Sequence, residues 1–166
     1  MVGTMLARLA TSADSPAIAR IYNEGIEDRI ATFETELRSP DDVAVWFDGV
    51  HPIVVVEHKG EVVGFASTST YRPRACYSGV AEFSVYVTRP HRGQGVGRTA
   101  MNALIAAAKD AGFWKLVSRV FPENTGSLRL LSSLGFREVG TYKNHGQLDG
   151  VWRDVVIVER QLGHSP

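Results

Sequence analysis

Residues 88–99 read TRPHRGQGVGRT, three glycines and three arginines in twelve positions, directly after the apolar stretch FSVYV. Glycines this dense weaken any helix or strand, because they lose the most backbone freedom on ordering and bring no side chain to pack. The stretch therefore divides the chain. Before it, GVAEFSVYV (79–87) alternates as a strand; after it, GVGRTAMNALIAAAKDAG (95–112) carries a long helical pattern ended by Gly112. A helix N-terminus offers unpaired N–H groups and the positive end of a dipole. Glycines let the backbone wrap closely around an anion, and phosphate is the usual occupant. On chemistry alone the loop is a diphosphate cradle, with a plain glycine-rich turn as the competing reading. No Gly-Lys-Ser/Thr follows, so it is not a P-loop, and GQGVG is not Gly-x-Gly-x-x-Gly, so the dinucleotide fingerprint fails too.

The rest of the chain supplies elements on both sides, with no repeat, low-complexity tract or linker. MLARLAT (5–11) reads as a first strand. SADSPAIARIYNEGIED (12–28) places Ala17, Ile18, Ile21 and Tyr22 on one helical face, with Ser12 or Asp14 as cap. SPDDVAVWFDGV (39–50) opens a second helix with a cap, a first-turn proline and early acids that suit the dipole. PIVVVEH (52–58), Lys59-Gly60 and EVVGFASTSTY (61–71) form a hairpin. FWKLVSRVF (113–121) is a strand and NTGSLRLLSSLG (124–135) a short helix. FREVGTYKNHGQL (136–148), Asp149-Gly150 and VWRDVVIVERQL (151–162) close the chain as a second hairpin. The order β-α-α-β-β-β-α-β-α-β-β predicts one α/β domain over residues 1–166 with a largely antiparallel sheet flanked by helices.

Composition narrows the partners. The 166 residues are 44% apolar and 22% charged, an ordinary balance for one soluble globular domain. A net charge of zero argues against nucleic acid as the main partner. No apolar run approaches a membrane span, and the first residues lack the long apolar segment of a secretory signal. The lone Cys76 has no partner for an internal disulfide, which fits a reducing cytoplasm.

RGQGVG resembles the Arg/Gln-x-x-Gly-x-Gly/Ala signature of the GNAT superfamily of acetyl-CoA-dependent N-acetyltransferases, with Arg92, Gly95 and Gly97 at the signature positions. The element order is similar to that fold from end to end, and FPENTGSLRLLSSLGF resembles the family's second landmark, an Asn before a short helix ending in Leu-Gly-Phe. The resemblance implies acetyl-CoA as cosubstrate. It implies that the strand before the loop splays from its neighbour, freeing backbone groups along Val85, Tyr86 and Val87 for the pantetheine arm. The N–H groups of Gly93, Gln94, Gly95, Val96, Gly97 and Arg98 would then hold the pyrophosphate. Asn124 would meet the pantetheine or an active-site water, and Ser127 would add a contact.

IYNEGI, ATFETE, YRPRACY, EFSVYV and DGVWRDVVIVER resemble the phosphinothricin acetyltransferase branch, which acetylates the α-amino group of glutamate-like amino acids such as phosphinothricin, methionine sulfoximine and sulfone, and arsinothricin, and so confers herbicide or antibiotic resistance. The ending HGQLDGVWRDVVIVER is most similar to the arsinothricin group. An α-amino group with a pKa of roughly 8 is mostly protonated at neutral pH, so a general base is required. Glu82, three residues before Val85, matches the branch's catalytic glutamate. Alternation puts Glu82, Ser84 and Tyr86 on one face and Phe83, Val85 and Val87 on the other. Burial would raise the Glu82 pKa toward a useful value; the competing reading is a strand glutamate paired to a neighbouring arginine. Where many members of the superfamily carry an acid for the leaving thiolate, this chain has Leu131, which donates nothing. The acid stays unassigned: the thiolate leaves unaided, or is protonated through water, by Tyr86 or by another group.

Arg72 and Arg74, on one face of an extended segment, suit bidentate capture of a carboxylate or phosphinate, with Tyr77 adding a hydroxyl; two solvated arginines are the plain alternative. Phe33 and Glu34 lie where the branch lines its substrate pocket, Phe33 being equally suited to the core. Cys76 has no nearby His to activate it, and the family transfers directly. The histidines 51, 58, 91, 145 and 164 show no metal spacing, His91 reading as structural. Trp46, Trp114 and Trp152 read as core or interface anchors, and the final strand pair suits a homodimer. The rivals to an amino-acid acceptor are a polyamine, a lysine or a protein N-terminus within the same superfamily, and an acyl-CoA sensor without turnover.

Overall fold

The computed structural model describes residues 4–163. Its elements are β1 (Met5–Leu9), α1 (Ser15–Asp28), α2 (Pro40–Ala44), β2 (Ile53–His58), β3 (Glu61–Thr70), β4 (Val80–Val87), α3 (Val96–Asp110), β5 (Lys115–Val120), α4 (Thr125–Ser133), β6 (Arg137–Leu148) and β7 (Val151–Gln161), with short 3-10 turns at Ser12–Asp14, Ala75–Tyr77 and Arg89–His91. One sheet runs in the order β1-β2-β3-β4-β5-β7-β6. Every neighbouring pair is antiparallel except β4 and β5. The two hairpins turn at Lys59-Gly60 and Asp149-Gly150, where all four residues take positive φ, the requirement of a two-residue turn that matches strand twist. His164 lies outside the described residues.

Two apolar layers clothe the sheet. On one face α3 buries Val96, Ala100, Met101, Leu104 and Ala108 against Val54, Val63, Phe83 and Leu116. On the other, Ile18 and Ile21 of α1 and Val43 of α2 cover Val55, Phe65 and Tyr86. The buried face of α1 is Ile18, Ala19, Ile21 and Ile26, while Ala17 and Tyr22 sit half-buried at its margin. Among the described residues no helix is long and apolar enough to cross a membrane.

Two local expectations change. The second helix stops at Ala44 instead of reaching residue 50. Past that point the Trp46 ring packs edge-on against Tyr22 and at a tilt against Phe65, and Asp48 Oδ1 accepts from the N–H groups of Val50 and His51, a side-chain turn that competes with helix. At the start of α1 neither Ser12 nor Asp14 caps the helix with its side chain. The Asp14 carboxylate instead accepts from Arg8 Nη1 and Nη2 (2.8 and 2.9 Å) and from the Thr11 N–H at 2.8 Å.

The hydrogen bonds from Arg8 hold the Asp14 carboxyl below the usual range, against the cost of its burial. A depressed folded pKa stabilises the fold at pH values above the unfolded value of about 3.9 and is lost as pH falls through the folded one. Asp14→Asn should therefore cost about 1–2 kcal/mol at pH 7, the low part of the range for charged hydrogen bonds because Arg8 is partly solvated. Urea melts should show the gap from wild type closing below pH ~3.9; a gap independent of pH would mean the ion pair contributes nothing.

Candidate active site

The site begins where β4 and β5 part. Only Val80–Glu82 pair with Lys115–Val117. At the fork the Ser118 hydroxyl donates to the Phe83 carbonyl at 2.8 Å, and beyond it β5 continues with β7 while β4 stays with β3. The Thr88 N–H bonds Val63 across β3. Antiparallel alternation then turns the Val85 and Val87 backbone toward the gap. The Val87 carbonyl is already in use, accepting from Arg92 Nε at 3.1 Å, so of its two lone pairs one remains.

A cleft of about 360 Å³ lies along this gap, lined by Val85, Val87, Arg92, Gly93, Gly95, Gly97, Arg98, Asn124 and Ser127 among others. Gly93 and Gly95 hold φ of 76° and 87°, left-handed values that favour glycine, and Gly95 is the N-cap of α3. The first helical bond of α3 is Thr99 N–H to the Gly95 carbonyl, so the N–H groups of Val96, Gly97 and Arg98 have no partner within the helix. A run of free N–H groups at a helix start, with two left-handed glycines and two arginines, fits a diphosphate. Val96 contributes backbone only, since its side chain is buried in the core, and Gln94 turns its amide back to the Pro90 carbonyl. Arg98 rests on the Ser133 hydroxyl at 2.7 Å, and Arg92 pairs with Asp28 at 2.7 Å.

Gly95 tests this cradle. Its missing side chain faces open space, so Gly95→Ala should cost only the left-handed strain of about 1–2 kcal/mol. A loop that relaxes from that strain misaligns its N–H groups, and calorimetry should show CoA binding weakened about 5–30-fold. Gly112→Ala, equally strained and equally open at the far end of α3, should leave CoA affinity unchanged. Equal effects from both would remove the cradle from the argument.

The cleft adjoins a throat of about 40 Å³ lined by Val85, Tyr86, Ser118, Asn124, Ser127 and Leu131. Beyond it opens a pocket of about 320 Å³, lined by Tyr22, Thr32, Phe33, Glu34, Glu82, Ser84, Tyr86 and Arg119 among others. Glu82, Ser84 and Tyr86 thus share one face as alternation predicts. Glu82 Oε1 accepts from Arg119 Nη2 at 3.0 Å, with Arg72 Nη1 3.8 Å away. The carboxylate is therefore half-buried and paired, not isolated in apolar surroundings. Sequence reasoning raised an arginine partner without identifying Arg119, whose only signal was its alternation on β5. Burial, with Tyr22 adding to it, pushes the Tyr86 phenol well above its usual range and keeps it a hydrogen-bond donor. Leu131 is 1% exposed and belongs to the core beneath the throat, so no acid stands there.

The remaining predicted residues divide. Asn124 lines the cleft but also caps α4, its Oδ1 accepting from the Ser127 N–H at 3.3 Å and its Nδ2 donating to the Ile30 carbonyl. Phe33 meets Phe121 edge-on at 4.9 Å and is both core and pocket wall. Glu34 pairs with Arg38 at 2.7 Å. YRPRACY is not an extended segment: it bends into the 3-10 turn Ala75–Tyr77, capped by Arg74. The two arginines have different surroundings. Arg72 stacks over Tyr71 and approaches Glu82, whereas Arg74 is exposed and its side chain has no hydrogen-bond partner among the described residues. Tyr77 packs edge-on to Tyr71 and faces a separate hollow beside Lys115 and Tyr142. Cys76 is exposed on the same turn. Among the described residues no group of three or more His, Cys, Asp or Glu could hold a metal ion.

Comparison with known proteins places this geometry. Residues 18–136 match the acetyltransferase (GNAT) family. The chain is 36% identical to a phosphinothricin N-acetyltransferase of Alcaligenes faecalis, over 97% of this chain and 87% of that one. It is 32% identical to an L-methionine sulfoximine/L-methionine sulfone acetyltransferase of Salmonella typhimurium, over 95% of each. A GNAT superfamily phosphinothricin acetyltransferase of Sinorhizobium meliloti, solved in complex with acetyl-CoA, superposes with a TM-score of 0.88 at 30% identity, over 98% of this chain and 90% of that one.

Proposed function

This chain belongs to the GNAT family and is an N-acetyltransferase with acetyl-CoA as cosubstrate, and from that premise we propose that its acceptor is the α-amino group of a glutamate-like amino acid, with Glu82 as general base. The observation that carries the reading is the passage from glycine loop through throat to pocket, with a carboxylate on its far side. Relatives named for phosphinothricin and methionine sulfoximine, aligned over nearly the whole chain, support the acceptor class.

Acetyl-CoA supplies an acetyl group activated as a thioester, whose thiolate, from a thiol of pKa about 8.5, is a tolerable leaving group without an acid. The chain's residues do the rest. The N–H groups of 93–98 with Arg92 and Arg98 hold the diphosphate, and the Val85 and Val87 backbone aligns the pantetheine arm in the gap, where Asn124 and Ser127 add contacts. Glu82 receives the ammonium at the pocket end of the throat and takes one proton, which frees the nitrogen lone pair to bond to the acetyl carbon; as the carbon–sulfur bond breaks, the second nitrogen proton goes to the departing thiolate, giving amide and CoA thiol. Tyr86 and Phe33 wall the pocket, and outside its lining Arg72, 3.8 Å from Glu82, and the exposed Arg74 add positive charge that draws an anionic amino acid toward it.

Thiol release with phosphinothricin, arsinothricin, methionine sulfoximine, glutamate, spermidine and a lysine peptide tests this reading. Turnover confined to the amino acids supports it. Turnover of the polyamine or peptide replaces the acceptor, and CoA binding without turnover of any amine leaves a sensor. An exposed free thiol at Cys76 fits a cytoplasmic enzyme. Homodimerisation through the β6–β7 ribbon is part of the same proposal. The ribbon exposes Val139, Tyr142, Val151 and Trp152 along the edge of the sheet, and light scattering after gel filtration decides it.

A further inference from the structure

Resting on that reading of the acceptor, we propose that Arg119 anchors the acceptor's α-carboxylate, so that Glu82 and Arg119 together recognise a zwitterion. The pocket lining contains a single cation among the described residues, and it is Arg119. Glu82 is the last β4 residue in register with β5, opposite Val117; Arg119 lies two residues further along β5 and therefore on the same face. Their side chains meet at 3.0 Å with Arg119 half-open to the pocket. Arg72 Nη1 also lies 3.8 Å from Glu82 Oε1, beyond hydrogen-bond distance, because it donates to the Tyr71 carbonyl at 2.8 Å while its guanidinium covers that ring; Arg119 alone hydrogen-bonds the carboxylate.

An ion pair open to a pocket is the mirror of an α-amino acid. One carbon joins the ammonium to the carboxylate, so the two charges of the substrate are spaced like the two partners of a single ion pair. On binding, the ammonium takes the place of the guanidinium on Glu82 and the carboxylate takes the place of Glu82 on Arg119. Each broken pair is replaced by another, so no charge is left desolvated and unpaired. The guanidinium fork holds a carboxylate in a defined plane, which points the neighbouring nitrogen at Glu82 and the throat. An amine without a carboxylate would instead bring a second cation against Arg119.

The test uses L-phosphinothricin and L-methionine sulfone, each beside its α-carboxamide. Wild type should favour the free acids over the carboxamides in kcat/KM by about 10–100-fold, the worth of a charge-assisted hydrogen bond. Arg119→Ala should lower kcat/KM for the acids by that factor and leave the carboxamides within about threefold, so the preference disappears; Arg119→Lys should recover part of it. The lower basicity of the carboxamide amine acts on wild type and variant alike and cancels in the comparison. CoA affinity, read by calorimetry, should not move. If Arg119→Ala lowers acids and carboxamides equally, Arg119 only supports Glu82 and the proposal is overturned. A preference surviving in Arg119→Ala overturns it alone. Equal use of acid and carboxamide by wild type, or turnover of neither, overturns the amino-acid reading and this proposal with it.

Discussion

Glu82→Gln is expected to reduce kcat by about 10²–10⁴-fold, the contribution of a positioned general base. The amide keeps the size of the carboxylate, and its oxygen still accepts from Arg119, so the fork between β4 and β5 should stay closed at Val80–Glu82. What it lacks is a lone pair basic enough to take a proton from the amine. Acetyl-CoA binding should be unaffected, because the loop and the Val85–Val87 backbone lie on the other side of the throat. Single-turnover acetylation with saturating acetyl-CoA, beside calorimetric CoA binding, separates the two. Turnover within a fewfold of wild type would remove Glu82 as base and leave it as one half of an ion pair.

Phe65→Ala should destabilise the fold by about 3–5 kcal/mol, the cost of removing a fully buried aromatic ring with incomplete collapse around it. Phe65 is 0% exposed, stacks on Tyr86 with centroids 5.5 Å apart at 19°, and touches Trp46 on the side of α2. It sits between Val55 of β2 and Tyr86 of β4 in register, so its ring joins the helical layer to the pocket wall. Thermal unfolding should show Tm lower by about 6–20 °C for a chain of this length. Near-wild-type stability would mean that the Trp46, Tyr22 and Tyr86 rings close the gap without it.

The separation between these two effects reflects how the chain is written. The glycine loop was legible because its requirements are local: left-handed Gly93 and Gly95, and a helix N-terminus immediately after them. The hairpins at Lys59-Gly60 and Asp149-Gly150 were legible for the same reason, as were α3 and the apolar strands, whose periodicity repeats within one element. The second helix ends earlier than its sequence pattern predicts, because its capping box at Ser39–Asp42 is a start signal, whereas its end depends on Trp46 reaching Tyr22 and Phe65, contacts remote in sequence.

The amino-acid sequence by itself determined the order of elements, the glycine loop opening α3 and the place of Glu82 on the face it shares with Ser84 and Tyr86, because each follows from backbone rules acting over a few residues. Tertiary structure alone decided where β4 parts from β5, how wide the throat is, and that Arg119, 37 positions away, meets Glu82. It also decided that Tyr77, in the turn Ala75–Tyr77, faces a separate hollow and that Arg72, not Arg74, lies beside the carboxylate. The reason is physical. A strand's own pattern specifies which face each side chain takes, but not which strand will lie beside it or where pairing will stop. Those are set by how seven strands and two helical layers pack at once, and an ion pair between strands exists only after that packing is complete.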